Sequence, residues 1–289
     1  MLELPSTVTR SSDTLESLTI CNRHARARIF LQGAHVLSFR PVGEGEVLWS
    51  SVRSQFSPGK PIRGGIPICF PWFGAGSSPA HPAHGFARTT SFECVRAEDS
   101  ADGATHLRFR LVDSEATRAL WPHPFAASVD ITVGATLVIA FTIANTGDAP
   151  FSFEEALHTY FDVADARRVS VAGLEDAPFL DKVAGGATPT SAPGPIRFEA
   201  ETDRVYNATT ASTRIDDPDL VRSIVIEKEA SNSTVVWNPW VAKAARMPDF
   251  GDDEWPGMVC VESANAGADR LTLQPGESHK LVLRVGVRR

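Results

Sequence analysis

Residues 151–163 read FSFEEALHTYFDV, and they decide the fold class because apolar and polar side chains alternate along them. A period of two is typical of a β-strand, in which successive side chains point to opposite faces. One face is mostly apolar and requires a core. The other carries His158 and Tyr160 between two carboxylates, Glu154 and Asp162. This stretch alone leaves two interpretations of that face: the wall of a polar cleft centred on His158, or ordinary exposure to solvent.

Strand-like segments continue on both sides of this stretch. The only convincing helical turn is predicted at residues 113–120, where Asp113 or Ser114 can cap it and Pro122 ends it. About fifteen strands with short turns and almost no helix predict an all-β fold, one large antiparallel β-sandwich over residues 1–289. The clearest predicted strands are residues 17–21, 27–31, 34–39, 46–50, 89–96, 105–112, 125–133, 135–144, 223–229, 233–237, 258–262, 270–273 and 280–287.

Composition narrows the classes of partner. The chain has 289 residues, a net charge of −7 and no block of like charges. A nucleic-acid partner would call for a clustered basic surface, so we expect none. The N-terminus lacks a basic segment followed by an apolar one, and no apolar run reaches the length of a membrane helix. We therefore expect a cytoplasmic protein without a membrane partner, and a monomer, with a dimer as the alternative.

The four cysteines do not form a recognisable framework. None lies in a CxxC pair, and their spacing fits neither a disulfide network nor a zinc site. Cys260 lies in the apolar run of residues 258–261, so a reduced thiol in the core is expected.

Arg63 and Glu262 lie in stretches that core packing does not explain. Residues 61–74 read PIRGGIPICFPWFG, and the glycines after Arg63 permit positive φ and a close approach of ligand. A guanidinium suits carboxylate or phosphate, although a surface arginine in a turn is the ordinary alternative. Residues 259–265 read VCVESAN, and a carboxylate in so apolar a strand is either paired or functional. Burial would raise the pKa of Glu262 and make it a better base.

Two histidines accompany these residues. Residues 84–88 read HGFAR and place His84 four positions before Arg88, although a buried hydrogen-bonding histidine is the commoner fate of a lone His. His84, His158 and Glu262 could in principle bind a metal as two imidazoles and one carboxylate. They are scattered, and no HxH or HExxH spacing supports the set, so we expect no metal and no cofactor. The GxSxG elbow of serine hydrolases and the glycine-rich phosphate loops are absent from the sequence.

Taken together, these fragments resemble one family. PIRGGIPICFPWFG, HGFARTTSFE, FEEALHTYFDV, ETDRVY, WNPW with KAARMPDF, and MVCVESAN follow in this order over residues 28–285. The chain resembles the hexose-6-phosphate mutarotases (glucose-6-phosphate 1-epimerases), a branch of the aldose 1-epimerase superfamily. The resemblance implies the large β-supersandwich of the galactose mutarotases, which agrees with the predicted strands. It also implies an isomerase whose partner is a hexose 6-phosphate and that needs no metal, nucleotide or redox cofactor.

The resemblance implies that His158 and Glu262 are the catalytic pair. Mutarotation passes through the open-chain aldehyde, so one group must take the proton of the anomeric hydroxyl while another protonates the ring oxygen. A histidine can serve as both acid and base near neutral pH. We expect Glu262 to be the base on O1 and His158 the acid on the ring oxygen.

The resemblance also implies substrate-binding residues. Arg63 and Arg88 match arginines expected at the 6-phosphate, Asp203 matches a carboxylate that binds sugar hydroxyls, and His84 matches a histidine lining the site. One departure is Ala83, because family members commonly carry Gln at this position. A direct hydrogen bond to substrate is then lost there.

Three other functions are open from the sequence. A mutarotase of non-phosphorylated aldoses would use the same acid–base pair without the arginines, and arginines paired to internal carboxylates would favour it. A non-catalytic sugar-phosphate-binding protein would not need the pair. A glycoside hydrolase or lyase would need a second catalytic carboxylate opposite Glu262, which Glu154 or Asp162 would have to supply.

Overall fold

The computed structural model describes residues 2–186 and 190–289, which form a β-sandwich in which every pairing between strands is antiparallel. This confirms the predicted fold class. Two short α-helices, α1 (Glu115–Leu120) and α2 (Trp240–Ala244), accompany 21 strands in the described residues. In chain order the strands are β1 (Val8–Ser12), β2 (Glu16–Cys21), β3 (Ala25–Phe30), β4 (His35–Pro41), β5 (Ile68–Cys69), β6 (Glu93–Asp99), β7 (Thr105–Val112), β8 (Phe125–Val133), β9 (Leu137–Asn145), β10 (Phe151–Phe153), β11 (Glu155–Leu157), β12 (Tyr160–Asp162), β13 (Ser170–Ala172), β14 (Phe179–Asp181), β15 (Thr202–Tyr206), β16 (Thr213–Asp217), β17 (Arg222–Glu229), β18 (Ser233–Asn238), β19 (Met258–Asn265), β20 (Leu271–Leu273) and β21 (Ser278–Arg288).

Two large sheets carry most of these strands. The eight-stranded sheet has the order β13-β16-β17-β21-β9-β8-β7-β6. The seven-stranded sheet has the order β14-β15-β18-β19-β11-β5, with β12 also paired to β19. A four-stranded sheet, β1 to β4, and the pair β10-β20 complete the fold. None of the helices formed by the described residues has the length and apolar character needed to cross a membrane.

The core follows from strict alternation along the strands. In β8 and β9 every second side chain is buried, as the period of two requires. Val129 lies opposite Phe141, and Phe141 lies opposite Leu281, so these side chains share the inner face of the eight-stranded sheet. They belong to the same apolar cluster as Val236 and Val261 of the seven-stranded sheet. The two sheets therefore bury one face of each against the other.

The stretch predicted as a single strand is three short strands, and this prediction was wrong. β10 pairs with β20, β11 with β5 and β19, and β12 with β19. The chain changes neighbours at Glu154, whose carboxylate accepts the main-chain N–H groups of Phe73 and Gly267 at 3.0 and 2.8 Å. At the other end, Asp162 pairs with Arg222 at 3.2 Å. Neither carboxylate lies opposite Glu262, so neither can be the second catalytic carboxylate that a glycosidase needs.

Other differences from the predicted elements lie where local pattern is weak. Residues 46–50 form isolated bridges rather than a strand, through Leu48 and Ser50. The helical turn α1 is capped by Ser114, whose side chain accepts the Thr117 N–H, but α2 shows that it is not the only helix. The predictions lacked five strands: β1, β5, β14, β15 and β16.

Candidate active site

The outer face of the seven-stranded sheet gathers polar side chains through its register. Residues directly opposite each other on paired strands share a face, as do residues two apart on one strand. Asp203 lies opposite Trp237, and Trp237 lies opposite Cys260. Val235 lies opposite Glu262. These five side chains therefore project from the same side of the sheet.

His158 joins this face from the connection between β11 and β12. Ala156 lies opposite Ala264 of β19, and Tyr160 lies opposite Cys260. His158 stands midway between Ala156 and Tyr160, and its main-chain N–H donates to the carbonyl of Pro67 at 3.0 Å. The alternation read from the sequence therefore holds from 156 to 160, although it fails at both ends of the stretch.

A cleft of about 540 Å³ opens over this face. Its size is in the range of small-molecule sites. Aromatic side chains of Phe73 and Trp237 form part of its wall. The titratable side chains that line it are Arg63, His84, His158, Lys182, Asp203, Lys243 and Glu262. Five of the six site residues predicted from the sequence thus meet in one cleft.

His158 and Glu262 form a close pair at the bottom of the cleft. His158 Nε2 lies 3.4 Å from Glu262 Oε1, and the two side chains are 10% and 1% exposed. The remaining polar atoms, His158 Nδ1 and Glu262 Oε2, are buried and have no hydrogen-bond partner among the described residues. Buried polar groups are normally satisfied, so this pair has unused hydrogen-bonding capacity next to the cleft.

Burial shifts the pKa values of the pair in opposite directions. It lowers the pKa of His158 well below its usual value, and the neighbouring His84, when protonated, and the charges of Arg63 and Arg88 add to this effect. It raises the pKa of Glu262 well above its usual value, with a further contribution from Asp203. Burial therefore disfavours the imidazolium and the carboxylate alike. A carboxyl group with a raised pKa and an imidazole beside it can share and exchange one proton over 3.4 Å.

Arg63 reaches the cleft from the loop before β5 and is held on two sides. Its Nη1 donates to the Tyr160 hydroxyl at 2.8 Å. Its Nη2 lies 3.2 and 3.1 Å from the two carboxylate oxygens of Asp249. The Tyr160 ring stacks on that of His158, with centroids 4.8 Å apart. Arg63 therefore fixes the position of the Tyr160 ring, against which the imidazole of His158 packs.

His84 borders the pair from the other side. Its ring meets the His158 ring edge-on, with centroids 5.6 Å apart. Its Nδ1 accepts the N–H of Gly74 at 3.3 Å, which leaves the proton of the neutral imidazole on Nε2. Burial lowers the pKa of His84 to about 3, helped by Arg88 and Arg63, so this ring is neutral near pH 7.

Comparison with known proteins places this site in a family. The family model for aldose 1-epimerase matches residues 16–286. The chain belongs to the aldose 1-epimerase family. It is therefore an isomerase, and the isomerase class predicted from the sequence is confirmed.

Three relatives illustrate this membership. An Escherichia coli protein named "Putative glucose-6-phosphate 1-epimerase" is 38% identical over 270 residues, which cover 93% of this chain and 90% of that protein. A protein of the same name from Cenchrus ciliaris is 36% identical, covering 88% and 79%. The crystal structure of a putative mutarotase (YeaD) from Salmonella typhimurium superposes with a TM-score of 0.93 at 35% identity, covering 100% of this chain and 96% of that chain. The galactose mutarotase-like fold is thereby confirmed.

Arg88 is the predicted site residue that does not line the cleft of this epimerase, among the residues that the structure describes. Its Nη2 donates to the carbonyl of Ala83 at 2.7 Å. Its charge still acts on the site, since it helps to lower the pKa of His84 and opposes the rise at Glu262. A direct contact between Arg88 and a phosphate stays a prediction that this geometry does not support.

Lys182 and Cys260 are site residues that the sequence analysis did not identify as such. Lys182 follows β14 and lies in a segment rich in Ala and Gly, where no local pattern marks it. Cys260 lies two positions before Glu262, so the period of two, which placed Tyr160 on the face of His158, could also have indicated Cys260. Lys243, which also lines the cleft, lies 2.9 Å from Glu201 and 3.7 Å from Asp203.

Proposed function

We propose that this epimerase interconverts the α and β anomers of a hexose 6-phosphate, with glucose 6-phosphate as the preferred substrate. The observation that carries the proposal is the buried pair at the bottom of the cleft, with His158 Nε2 3.4 Å from Glu262 Oε1. A proton donor and a proton acceptor side by side are what anomer exchange requires. A protein that only binds sugar would gain nothing from burying such a pair, because burial of unsatisfied polar groups costs free energy.

The reaction divides between the two groups as follows. In the reactive state the one proton that the pair shares lies on His158, and Glu262 is the carboxylate. Glu262 removes the proton of the O1 hydroxyl, His158 donates its proton to the ring oxygen, and the bond between C1 and the ring oxygen breaks to give the aldehyde. Rotation about C1–C2 presents the other face of the carbonyl, and the same groups act in reverse to close the ring. A positioned acid or base typically contributes about 10²–10⁴-fold each, which is ample for a reaction that already proceeds in water.

Asp203 and His84 are assigned to sugar binding. Asp203 lies on the same sheet face as Glu262, and burial raises its pKa while Lys243 opposes that rise. A carboxylate there can accept hydrogen bonds from sugar hydroxyls, and the Nε2–H of His84 can donate one. Trp237 offers an apolar face to the sugar ring.

The phosphate is assigned to the cations of the cleft. Arg63, Lys182 and Lys243 line it, and phosphate is a good acceptor for guanidinium and ammonium groups. The relatives named as glucose-6-phosphate epimerases support a phosphorylated substrate. Arg63 would exchange part of its contact with Asp249 for the phosphate oxygens when substrate binds.

Anomer-exchange NMR tests the proposal directly. The rate of exchange between the α and β C1 resonances should rise on addition of protein for glucose, galactose or mannose 6-phosphate. Equal or greater acceleration for the free sugars would refute phosphate selectivity. Exchange at the spontaneous rate for every sugar would refute the mutarotase assignment and favour a binding protein.

Mutarotation of a non-phosphorylated aldose is the second candidate, and one observation favours it. Arg63 is paired with the internal carboxylate of Asp249, and Arg88 with the carbonyl of Ala83. Both guanidinium groups therefore already donate hydrogen bonds within the protein rather than being free to bind an anion. The same acid–base pair would act on the free sugar. Lys182 and Lys243 then would bind hydroxyls rather than a phosphate.

A further inference from the structure

Cys260 lies beside the acid–base pair, although the proposed reaction does not use it. It stands two residues before Glu262 on the same face of β19, and its cross-strand neighbour is Tyr160. The donor atoms of His158, Cys260 and Glu262 all lie within 4.8 Å of one another. All three residues are buried. A sulfur, an imidazole nitrogen and a carboxylate oxygen thus converge at the floor of the cleft, which His158 and Glu262 line and beneath which Cys260 lies.

This set of donors matches one class of ion. Zn²⁺ takes thiolate, imidazole and carboxylate ligands at about 2.0–2.3 Å, and accessible zinc sites use three protein ligands with a fourth position open. Cd²⁺ is softer still and favours sulfur. Mg²⁺ and Ca²⁺ require mainly oxygen ligands, which only Glu262 supplies here.

A turn of the pair toward an ion breaks few polar contacts. Among the described residues, no hydrogen bond other than the mutual contact holds the side chains of His158 and Glu262, and Nδ1 and Oε2 lack partners. Ligands around a tetrahedral ion lie roughly 3.4–3.7 Å apart, as follows from the bond lengths. Donor atoms now within 4.8 Å therefore need to move by about 1 Å.

We propose that Cys260, His158 and Glu262 form a binding site for a thiophilic divalent cation, Zn²⁺ or Cd²⁺, whose open position faces the cleft. An ion bound there occupies both groups of the acid–base pair, so it competes with the sugar. The inhibitory consequence rests on the proposed function, whereas the binding does not.

Binding exchanges a proton for the ion. Cys260 is buried among apolar side chains, where a cysteine keeps its proton, so the free protein holds the S–H form. The S–H bond breaks, the sulfur–metal bond forms, and the proton leaves to solvent. Affinity consequently rises with pH, as it does for thiolate sites in general.

Titration with Cd²⁺ alone tests the site through the ultraviolet sulfur-to-cadmium charge-transfer band. The titration uses a Cys21→Ser background, because Cys21 is the exposed thiol among the four cysteines. This protein should bind one Cd²⁺ and develop the band. The further change Cys260→Ser should abolish the charge-transfer band and weaken Cd²⁺ binding at least about 10-fold. Loss of a residue that only hydrogen-bonds to a metal ligand already weakens binding by that factor.

The matched control is Cys94→Ser in the same background. Cys94 is also buried, but its sulfur contacts only the carbonyl of Arg96. This variant should keep the band and the affinity. A band that persists in Cys260→Ser, or that Cys94→Ser removes, would overturn the proposal, as would its absence from the parent protein.

Two further measurements distinguish loss of the metal site from misfolding and from failure of the proposed reaction. His158→Ala keeps the thiol and should bind Cd²⁺ at least about 10-fold more weakly, so unchanged affinity contradicts the site even if Cys260→Ser misfolds. In the anomer-exchange assay, Zn²⁺ should raise KM and leave kcat unchanged, whereas Mg²⁺ should change neither constant. If no anomer exchange is found, the cadmium band still decides whether the ion binds.

Discussion

The guanidinium of Arg63 is held by the carboxylate of Asp249, with Nη2 3.2 and 3.1 Å from the two oxygens. The side chains are 20% and 14% exposed, so neither is freely solvated. The contact spans 186 positions of sequence and closes one side of the cleft. A phosphate that binds Arg63 must compete with Asp249 for the guanidinium, so its interaction with Arg63 must be stronger than that of the carboxylate.

Replacement of Arg63 should separate phosphorylated from free sugar. We expect Arg63→Met to lower kcat/KM for glucose 6-phosphate roughly 10- to 100-fold more than for glucose, since a hydrogen bond to a charged group contributes about 1.5–3 kcal/mol. Arg88→Met should have a smaller selective effect because its guanidinium contacts Ala83. Exposed Arg246 is the control, and Arg246→Met should change neither substrate. Equal losses on both sugars for Arg63→Met would favour the free-aldose function.

Lys182 should contribute to the same selectivity. It lines the cleft and carries a positive charge there. We expect Lys182→Met to raise KM for glucose 6-phosphate several-fold, in keeping with the strength of an exposed charge pair of up to about 1 kcal/mol. KM for glucose should not change. The exposed Lys280 of β21 provides the comparison, and an identical KM shift in Lys280→Met would show a nonspecific effect of net charge.

Loss of either member of the acid–base pair should stop turnover without unfolding the protein. We expect Glu262→Gln and His158→Ala each to lower kcat by about 10²–10⁴-fold for any accepted sugar, the usual contribution of a positioned acid or base. Asp162→Asn is the control, because its partner is Arg222, outside the cleft. Anomer exchange measured by NMR after subtraction of the spontaneous rate checks this. Near wild-type exchange in either pair variant would reject the assignment.

Protonation of His35 should couple stability to pH. Burial lowers its pKa to about 3 from an ordinary 6.5, and both ring nitrogens lack a partner among the described residues. The unfolded chain then binds more protons between these pH values, so the folded state is fully stabilised above pH 6.5 and loses stability as the pH falls. At pH 5 the loss is about 2 kcal/mol, given 1.36 kcal/mol per pH unit.

Urea unfolding at pH 7, 6 and 5 measures this effect. His35→Gln should have a shallower fall in unfolding free energy than the wild-type protein over that range. The slope should not vanish, since burial also lowers the pKa of His84 and His158. An unchanged slope would contradict the role of His35.

The turn after Arg63 should tolerate no side chain. Gly64 has a φ of +124°, and an added Cβ would lie 2.3 Å from Ser50 Cα. Gly43 has a φ of +83°, yet a Cβ there meets nothing within 4 Å. Gly43→Ala should therefore cost only the about 1–2 kcal/mol of the left-handed conformation, whereas Gly64→Ala should cost more and displace Arg63. Thermal unfolding compares the two, and equal costs would contradict the predicted steric clash.

Local pattern predicted the strands whose burial alternates without interruption. The bounds predicted for residues 105–112 and 125–133 coincide with β7 and β8, because one face of each is buried along its whole length. The period fails at residues 151–163, where three segments pair with different strands. The predictions also lacked β14 to β16, whose segments of three to five residues are too short to show a clear period.

The sequence by itself determined the fold class, the family and the chemical identity of the residues in the cleft, because periodicity and rare motifs are properties of the chain. Tertiary structure alone decided their neighbours. It brought His158 within 3.4 Å of Glu262, paired Arg63 with Asp249, and placed the buried thiol of Cys260, a core thiol as expected, beside the acid–base pair. These relationships depend on the register between strands distant in sequence, and register is set by the packing of whole sheets.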